Sequence, residues 1–143
     1  MTESQIKLKS ALTLAFFGDA VYDCLVREYL LERCDAAPGL LHRMAVTVVC
    51  AKAQSEALEI ISDHLSMSEL TITRRGKNAS KAAVPRNAAP KDYRAATALE
   101  ALFGYLSLSD QEERINELFS IISKKQIDTK IDMVKSGAYD DLS

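Results

Sequence analysis

The sequence has no apolar run approaching the roughly 18 residues that a membrane-spanning helix needs. Its first ten residues, MTESQIKLKS, lack the apolar core of a secretory signal peptide. The three cysteines, Cys24, Cys34 and Cys50, are odd in number and show neither CxxC spacing nor a nearby histidine, which argues against a disulfide framework and a zinc site. These absences predict a cytoplasmic protein with reduced cysteines.

Internal repeats and the sustained apolar/polar alternation of half-buried strands are also missing, and long helical patterns dominate instead. With 143 residues, 48% hydrophobic and 27% charged, the chain has the size and composition of one globular domain. We therefore predict an all-α fold with a single domain over residues 1–125. A polar C-terminal tail over residues 126–143 is expected to be partly disordered.

Five helices are predicted from apolar periodicity and capping signals. Their approximate bounds are 12–33, 39–64, 66–75, 90–108 and 109–125. The second contains the β-branched cluster Val46 to Val49 and is expected to be one helix with room for a bend. Ser66 and Ser109 each have capping-box spacing, and Gly76 is expected to end the third helix. Residues 76–89 lack periodicity, which predicts a mobile basic loop.

The charge of the chain is divided unevenly along its length. Residues 71–94 hold seven of the 18 basic residues and one of the 20 acidic ones, a local charge of +6, while the rest of the chain carries −8. A basic segment within an acidic protein favours contact with a polyanion over simple solubility. A solvated surface remains the alternative for any one of these side chains.

Two acids lie in apolar surroundings on different predicted helices. Asp19 follows Gly18 and has Ala15, Phe16 and Tyr22 among its helical neighbours, and Glu100 lies in the segment ATALEALFGYL. An ionised carboxylate is costly to bury unless it is paired or binds a cation. One alternative is a salt bridge to Arg27, Lys52 or Arg94. The other is that the two helices face each other and the carboxylates share Mg²⁺, which prefers oxygen ligands.

These segments resemble a known family. AFFGDAVYD (15–23) resembles the signature helix of the ribonuclease III endonuclease domain, and ATALEALFGYLSL (96–108) resembles its second acidic helix. The segments RRGKNA (74–79), PRN (85–87) and YR (93–94) bring the chain closer to the Mini-III ribonucleases, which lack a double-stranded-RNA-binding domain. The resemblance covers residues 10–122. It implies an all-helical homodimer that cleaves double-stranded RNA with Mg²⁺, leaves 5′-phosphates and matures 23S ribosomal RNA precursors.

The resemblance also assigns roles to individual residues. Asp19 and Glu100 match the catalytic, metal-binding acids, and Phe16 matches an aromatic that packs across the dimer. Full-length ribonuclease III enzymes carry two further acids where this chain has Ala15 and Thr97, so the metal site is depleted and waters are expected to replace the missing ligands. Asp23 and Thr97 are candidates for the surroundings of the metal, with Asp23 a candidate direct ligand as well.

With no separate binding domain, the basic segment is the candidate for holding the RNA through its phosphates. The candidate contact residues are Arg74, Arg75, Lys77, Asn78, Lys81 and Arg86. A ribosomal protein is a further candidate partner. The missing acids leave an alternative function open, namely a catalytically weak RNA-binding or ribosome-associated dimer. A third alternative is that the chain is a helical scaffold whose two acids form salt bridges.

Overall fold

A computed structural model describes residues 1–80, 85–86 and 88–137. This part of the chain is all-helical, as predicted, and contains no strand. None of its helices is both long enough and apolar enough to cross a membrane. The helices are α1 (Glu3–Lys7), α2 (Ala11–Arg33), α3 (Pro38–Val49), α4 (Ala51–Ile61), α5 (Met67–Ala79), α6 (Pro90–Leu108), α7 (Glu112–Ile122) and α8 (Asp128–Lys135).

The centre of the molecule is α6, which is surrounded by other helices along most of its length. Every residue from Ala95 to Phe103 except Glu100 is buried, and Leu102, Phe103 and Leu106 are completely so. Helix α2 packs along one side of α6, while α4 and α5 pack on the others. Burying a Leu or Phe side chain stabilises a fold by about 1.5–3 kcal/mol. The apolar stretch around Glu100 is therefore the core of the fold, and Glu100 is the one residue from Ala95 to Phe103 that is only half-buried.

The prediction of one helix over 39–64 is wrong, because the chain breaks at Cys50. Cys50 has an extended backbone (φ −65°, ψ 159°), ends α3 and caps the start of α4. A short 3₁₀ turn over Ser62–His64 follows. The break lets α3 pack against α2 and α4 pack against α6, which a straight helix over these residues could not do.

The predicted stop at Gly76 is also wrong, since α5 continues to Ala79. Gly76 is buried inside the helix, and a Cβ there would lie 2.7 Å from the Cα of Ala98 on α6. The glycine thus serves a close helix–helix contact rather than a helix end. Of the predicted mobile loop over 76–89, residues 81–84 and 87 lie outside the described residues.

The two predicted capping boxes have different outcomes. The Ser66 box is confirmed, because the Ser66 hydroxyl accepts from the Glu69 N–H and Glu69 accepts from the Ser66 N–H. Arg114 of α7 also donates to both Glu69 oxygens, at 2.8 and 2.9 Å. At the second site α7 begins at Glu112, and its capping residue, Gln111, makes no side-chain cap. The Ser109 hydroxyl instead donates to the carbonyl of Tyr105.

The first part of the predicted tail over 126–143 is helical, through residue 135. A π-helical turn over Ser123–Ile127 leads from α7 into α8, and Ile127, Ile131 and Val134 are buried in the core. The Tyr29 hydroxyl of α2 donates to the carboxylate of Asp128 at the start of α8. The helical domain therefore extends to Lys135, and residues 138–143 of the predicted tail lie outside the described part of the chain.

Candidate active site

The two candidate acids come together where α2 and α6 touch backbone to backbone. A Cβ on Gly18 would lie 1.6 Å from the Glu100 carbonyl oxygen, and a Cβ on Gly104 would lie 2.1 Å from the Leu14 carbonyl oxygen. Only glycine permits such an approach. Asp19 follows Gly18 directly, and Glu100 precedes Gly104 by one helical turn. The two glycines thus bring both carboxylates to the same level of the helix pair.

The environment of Glu100 opposes negative charge on its carboxyl group. Asp19 is exposed and Glu100 is half-buried. Burial raises the pKa of Glu100 to about 7, and the neighbouring negative charge of Asp19 adds to the rise. No ion pair within the described residues involves either acid, so the predicted salt-bridge alternative is not what the structure shows. Two adjacent carboxylates, one of them reluctant to ionise, are typical of a site that becomes stable with a cation.

A hard divalent cation fits this pair in chemical type. Carboxylate oxygens are ligands that Mg²⁺ prefers, and Mg²⁺ keeps several waters in its shell, so two protein ligands can suffice. Bound there, the cation would supply charge neutralisation for a phosphodiester and a water of lowered pKa. Within the described residues no group of three or more His, Cys, Asp or Glu side chains is placed to hold a metal.

The other two candidates for the surroundings of a metal, Asp23 and Thr97, are hydrogen-bonded within their own helices. Asp23 accepts from Arg27 at 3.0 Å, one turn along α2. Thr97 is buried, and its hydroxyl donates to the Tyr93 carbonyl at 3.0 Å. Arg27, one of the cations considered as a partner for Asp19 or Glu100, is therefore paired with Asp23 instead.

The six candidate RNA contacts do not share one environment. Arg74, Lys77 and Asn78 are exposed, on helix α5 rather than on a loop, and Arg86 is exposed beyond it. Lys81 lies outside the described residues. Arg75 is turned inward and donates to the carbonyls of Lys7 at 3.2 Å and Lys9 at 2.6 Å. Its guanidinium thereby fixes α1, which the sequence analysis did not predict, against α5.

Phe16 stands on the outer face of α2 with 83% of its surface exposed. Leu12, one turn before it, and Leu31, four turns after it, are exposed on the same face. An exposed apolar stripe of this kind on a helix is typical of a surface that another protein covers.

Two cations outside the predicted set of RNA contacts line the same cleft as Lys77. Lys91 and Arg94, on the first turns of α6, line a cleft together with Lys77. Both belong to the basic segment found by the charge count. Their three-residue spacing on a predicted helix was the signal that they share a face.

Comparison with known proteins identifies the family. The family model for the ribonuclease III domain matches residues 12–111, which include both acids and the helices that carry them. The chain belongs to this family. Its resemblance to the Mini-III ribonucleases is confirmed by relatives named Mini-ribonuclease 3. The one from Enterococcus faecalis is 39% identical over 83% of this chain and 92% of its own length. The one from Symbiobacterium thermophilum is 45% identical over 75% of this chain and 82% of its own.

A solved structure shares the family fold. The crystal structure of a Fusobacterium nucleatum protein is 34% identical and superposes with a TM-score of 0.75. The match covers 85% of this chain and 97% of that protein.

Proposed function

We propose that this chain is a cytoplasmic, Mg²⁺-dependent endoribonuclease that hydrolyses double-stranded RNA and leaves 5′-phosphate ends. The observation that carries the proposal is the juxtaposition of Asp19 and Glu100 at the glycine contact between α2 and α6. Membership of the ribonuclease III domain family supports a ribonuclease. The basic segment supports an RNA substrate, because phosphate contacts supply much of the affinity for nucleic acid.

In this proposal Asp19 and Glu100 hold the cation through their carboxylates. Asp19, being exposed, faces the RNA side of the site, whereas Glu100 anchors the pair within α6. Both acids sit on packed helices rather than on loops, so their separation is fixed before substrate arrives. Such preorganisation favours the transition state because no reordering of the protein is needed during the reaction.

The proposed enzyme is a homodimer that reads RNA by shape. The exposed stripe with Leu12, Phe16 and Leu31 supports a second copy as the covering surface. A-form RNA offers a wide, shallow minor groove and its phosphates, which a dimer with two acid pairs can span. The resemblance to Mini-III ribonucleases assigns the precursor of 23S ribosomal RNA as the substrate and leaves a ribosomal protein as a candidate partner.

Cleavage of a long RNA duplex by wild type and Asp19→Asn, each with Mg²⁺ or with excess EDTA, tests the proposal. Only wild type with Mg²⁺ should cut, and its products should become ligatable without added kinase because they carry 5′-phosphates. Asp63→Asn is the matched control, since Asp63 is an exposed acid on the 3₁₀ turn and is distant from Asp19 in the sequence. A fully active Asp19→Asn enzyme would contradict the proposal that Asp19 holds the cation.

A second candidate function is an RNA-binding or ribosome-associated dimer with weak catalysis. The observation that favours it is the small ligand set, because Ala15 is a buried methyl group and the Thr97 hydroxyl is bonded within its own helix. This candidate predicts that wild type retards duplex RNA on a gel without Mg²⁺-dependent cleavage, and that Asp19→Asn behaves identically.

A further inference from the structure

A basic cleft of about 370 Å³ opens between α4, α5 and the start of α6. Three cations from two of these helices line it: Lys77 on α5, and Lys91 and Arg94 on α6. None of the three takes part in an ion pair within the described residues. Three cations around one concavity attract an anion that enters the cleft.

The remaining polar lining suits an oxyanion. Glu59 is the one acid among the residues that line the cleft, which leaves the site with a net charge of +2. Ser55 and Ser62 add two hydroxyl groups to the α4 side. The Ser62 hydroxyl donates to the Glu59 carbonyl at 2.9 Å, whereas the Ser55 hydroxyl has no partner within the described part of the chain and can donate to a ligand. Arg94 offers a planar fork of donors, the geometry that matches phosphate oxygens.

The cleft is separate from the acid pair. At about 100° of rotation per residue, Arg94 lies about 120° and Lys91 about 180° around the α6 axis from Glu100. The backbone of Glu100 touches Gly18 of α2, whereas Lys91 and Arg94 share their cleft with α4 and α5. The residues that line the cleft include neither Asp19 nor Glu100. A ligand in the cleft is therefore bound on a different side of α6 from the site of hydrolysis.

We propose that this cleft is a phosphate-binding site, formed by Lys77, Lys91 and Arg94, that acts apart from the acid pair. A phosphate of an RNA strand or of a small phosphorylated compound has the charge and the oxygen geometry to fill it. The proposal that the ligand is an RNA phosphate rests on the proposed function, because the cleft would then extend the RNA-binding surface of the nuclease beyond the acid pair. Binding of phosphate itself does not depend on that function.

The first arm of the test titrates the ¹⁵N-labelled protein with inorganic phosphate at constant ionic strength. The backbone amides of Lys77, Lys91 and Arg94 should shift and saturate together. The double variant Lys91→Gln/Arg94→Gln should weaken binding by at least about tenfold, because two charge-assisted contacts are lost. Glu59→Gln should tighten it, since the competing carboxylate is removed. The control is Lys124→Gln/Lys125→Gln, which removes the same charge from two exposed lysines after α7.

The second arm measures affinity for duplex RNA in EDTA over a range of salt concentrations. If an RNA phosphate fills the cleft, Lys91→Gln/Arg94→Gln lowers the slope of log affinity against log salt by about one per lost contact. The lysine control should leave the slope unchanged. A different outcome is that phosphate binds while the salt dependence of RNA affinity is the same in the double variant and in wild type. In that case the cleft is a phosphate-binding site whose ligand is a small phosphorylated compound.

The proposal is overturned if phosphate shifts none of the three amides, or if the double variant binds phosphate as tightly as wild type. Circular dichroism of each variant separates loss of the site from loss of the fold. An absence of nuclease activity in wild type, alongside intact phosphate binding, would overturn the proposed function while leaving the cleft in place.

Discussion

Gly18 lies so close to Glu100 that a methyl group on its Cα would stand 1.6 Å from the Glu100 carbonyl oxygen. A contact of this length cannot be relieved by a side-chain rotation, because the opposing atom belongs to the backbone of α6. The helix pair can approach to this distance only with glycine at position 18. The spacing between the acids is therefore set by a residue with no side chain.

We predict that Gly18→Ala forces α2 and α6 apart and lowers the free energy of unfolding by at least about 2 kcal/mol, even though alanine is the better helix former. The separated carboxylates should bind Mg²⁺ more weakly. Urea unfolding and calorimetric metal titration measure the two effects. Gly39→Ala is the control, because a Cβ at Gly39 meets nothing within 4 Å and should be neutral or stabilising. Equal effects of the two substitutions would contradict the close-contact explanation.

The metal-free protein should lose stability as the pH rises from about 4.5 to about 7. Glu100 has its pKa raised from 4.5 to about 7 by burial and by Asp19, so the folded state binds more protons than the unfolded state in this range. Stability should then level off above pH 7. Unfolding by urea in EDTA at pH 5 and pH 8 measures the difference, which Glu100→Gln should reduce. A pH dependence that survives this substitution unchanged would point to another group.

If the proposed homodimer forms through α2, Phe16→Glu should shift it from dimer to monomer, because the substitution places a charge on the exposed apolar stripe of α2. Sedimentation equilibrium reports the oligomeric state directly. Met67→Glu is the matched control, since Met67 is also an exposed apolar residue but lies at the start of α5. A monomeric wild type, or a dimer that persists in the Phe16→Glu variant, would contradict the assignment of the dimer interface to α2.

Tyr22→Phe should stabilise the fold by about 1–2 kcal/mol, because an unpaired buried hydroxyl carries a desolvation cost. The Tyr22 ring is fully buried between Phe103 and Phe119, and its hydroxyl has no partner within the described residues. Tyr105→Phe is the comparison, since the Tyr105 hydroxyl donates to Glu3 at 3.0 Å and its loss should be destabilising. Relative to wild type, the midpoint temperature of thermal unfolding should rise for Tyr22→Phe and fall for Tyr105→Phe.

The features predictable from the sequence were those with local causes. The bounds of α2 and α6 followed from apolar periodicity and from Pro90, and the Ser66 capping box followed from its three-residue spacing. The facing of Asp19 and Glu100 was one of two alternatives that the sequence left open, because both acids sit near glycines in apolar helices. The roles given to these acids rest on the resemblance and stay predictions.

The features missed by the sequence analysis had tertiary causes. Gly76 carries the local signal of a helix end, and only the approach of Ala98 shows why it lies within α5. The break at Cys50 follows from α3 and α4 packing against different helices. The inward turn of Arg75 depends on the carbonyls of α1, which lie far away in sequence. Ile127, Ile131 and Val134 did carry a helical spacing, but the polar residues between them masked it.

The pairing of α2 with α6 also has a consequence for the order of events during synthesis. Asp19 leaves the ribosome about 80 residues before Glu100, so the central contact of the fold is strongly non-local. Until α6 has emerged, the buried face of α2, with Leu14, Tyr22 and Val26, lacks its most extensive packing partner. Domains fold as units once their segments are available. A nascent chain that ends before residue 90 therefore carries Asp19 without Glu100, and the two acids can come together only after most of the chain has been made.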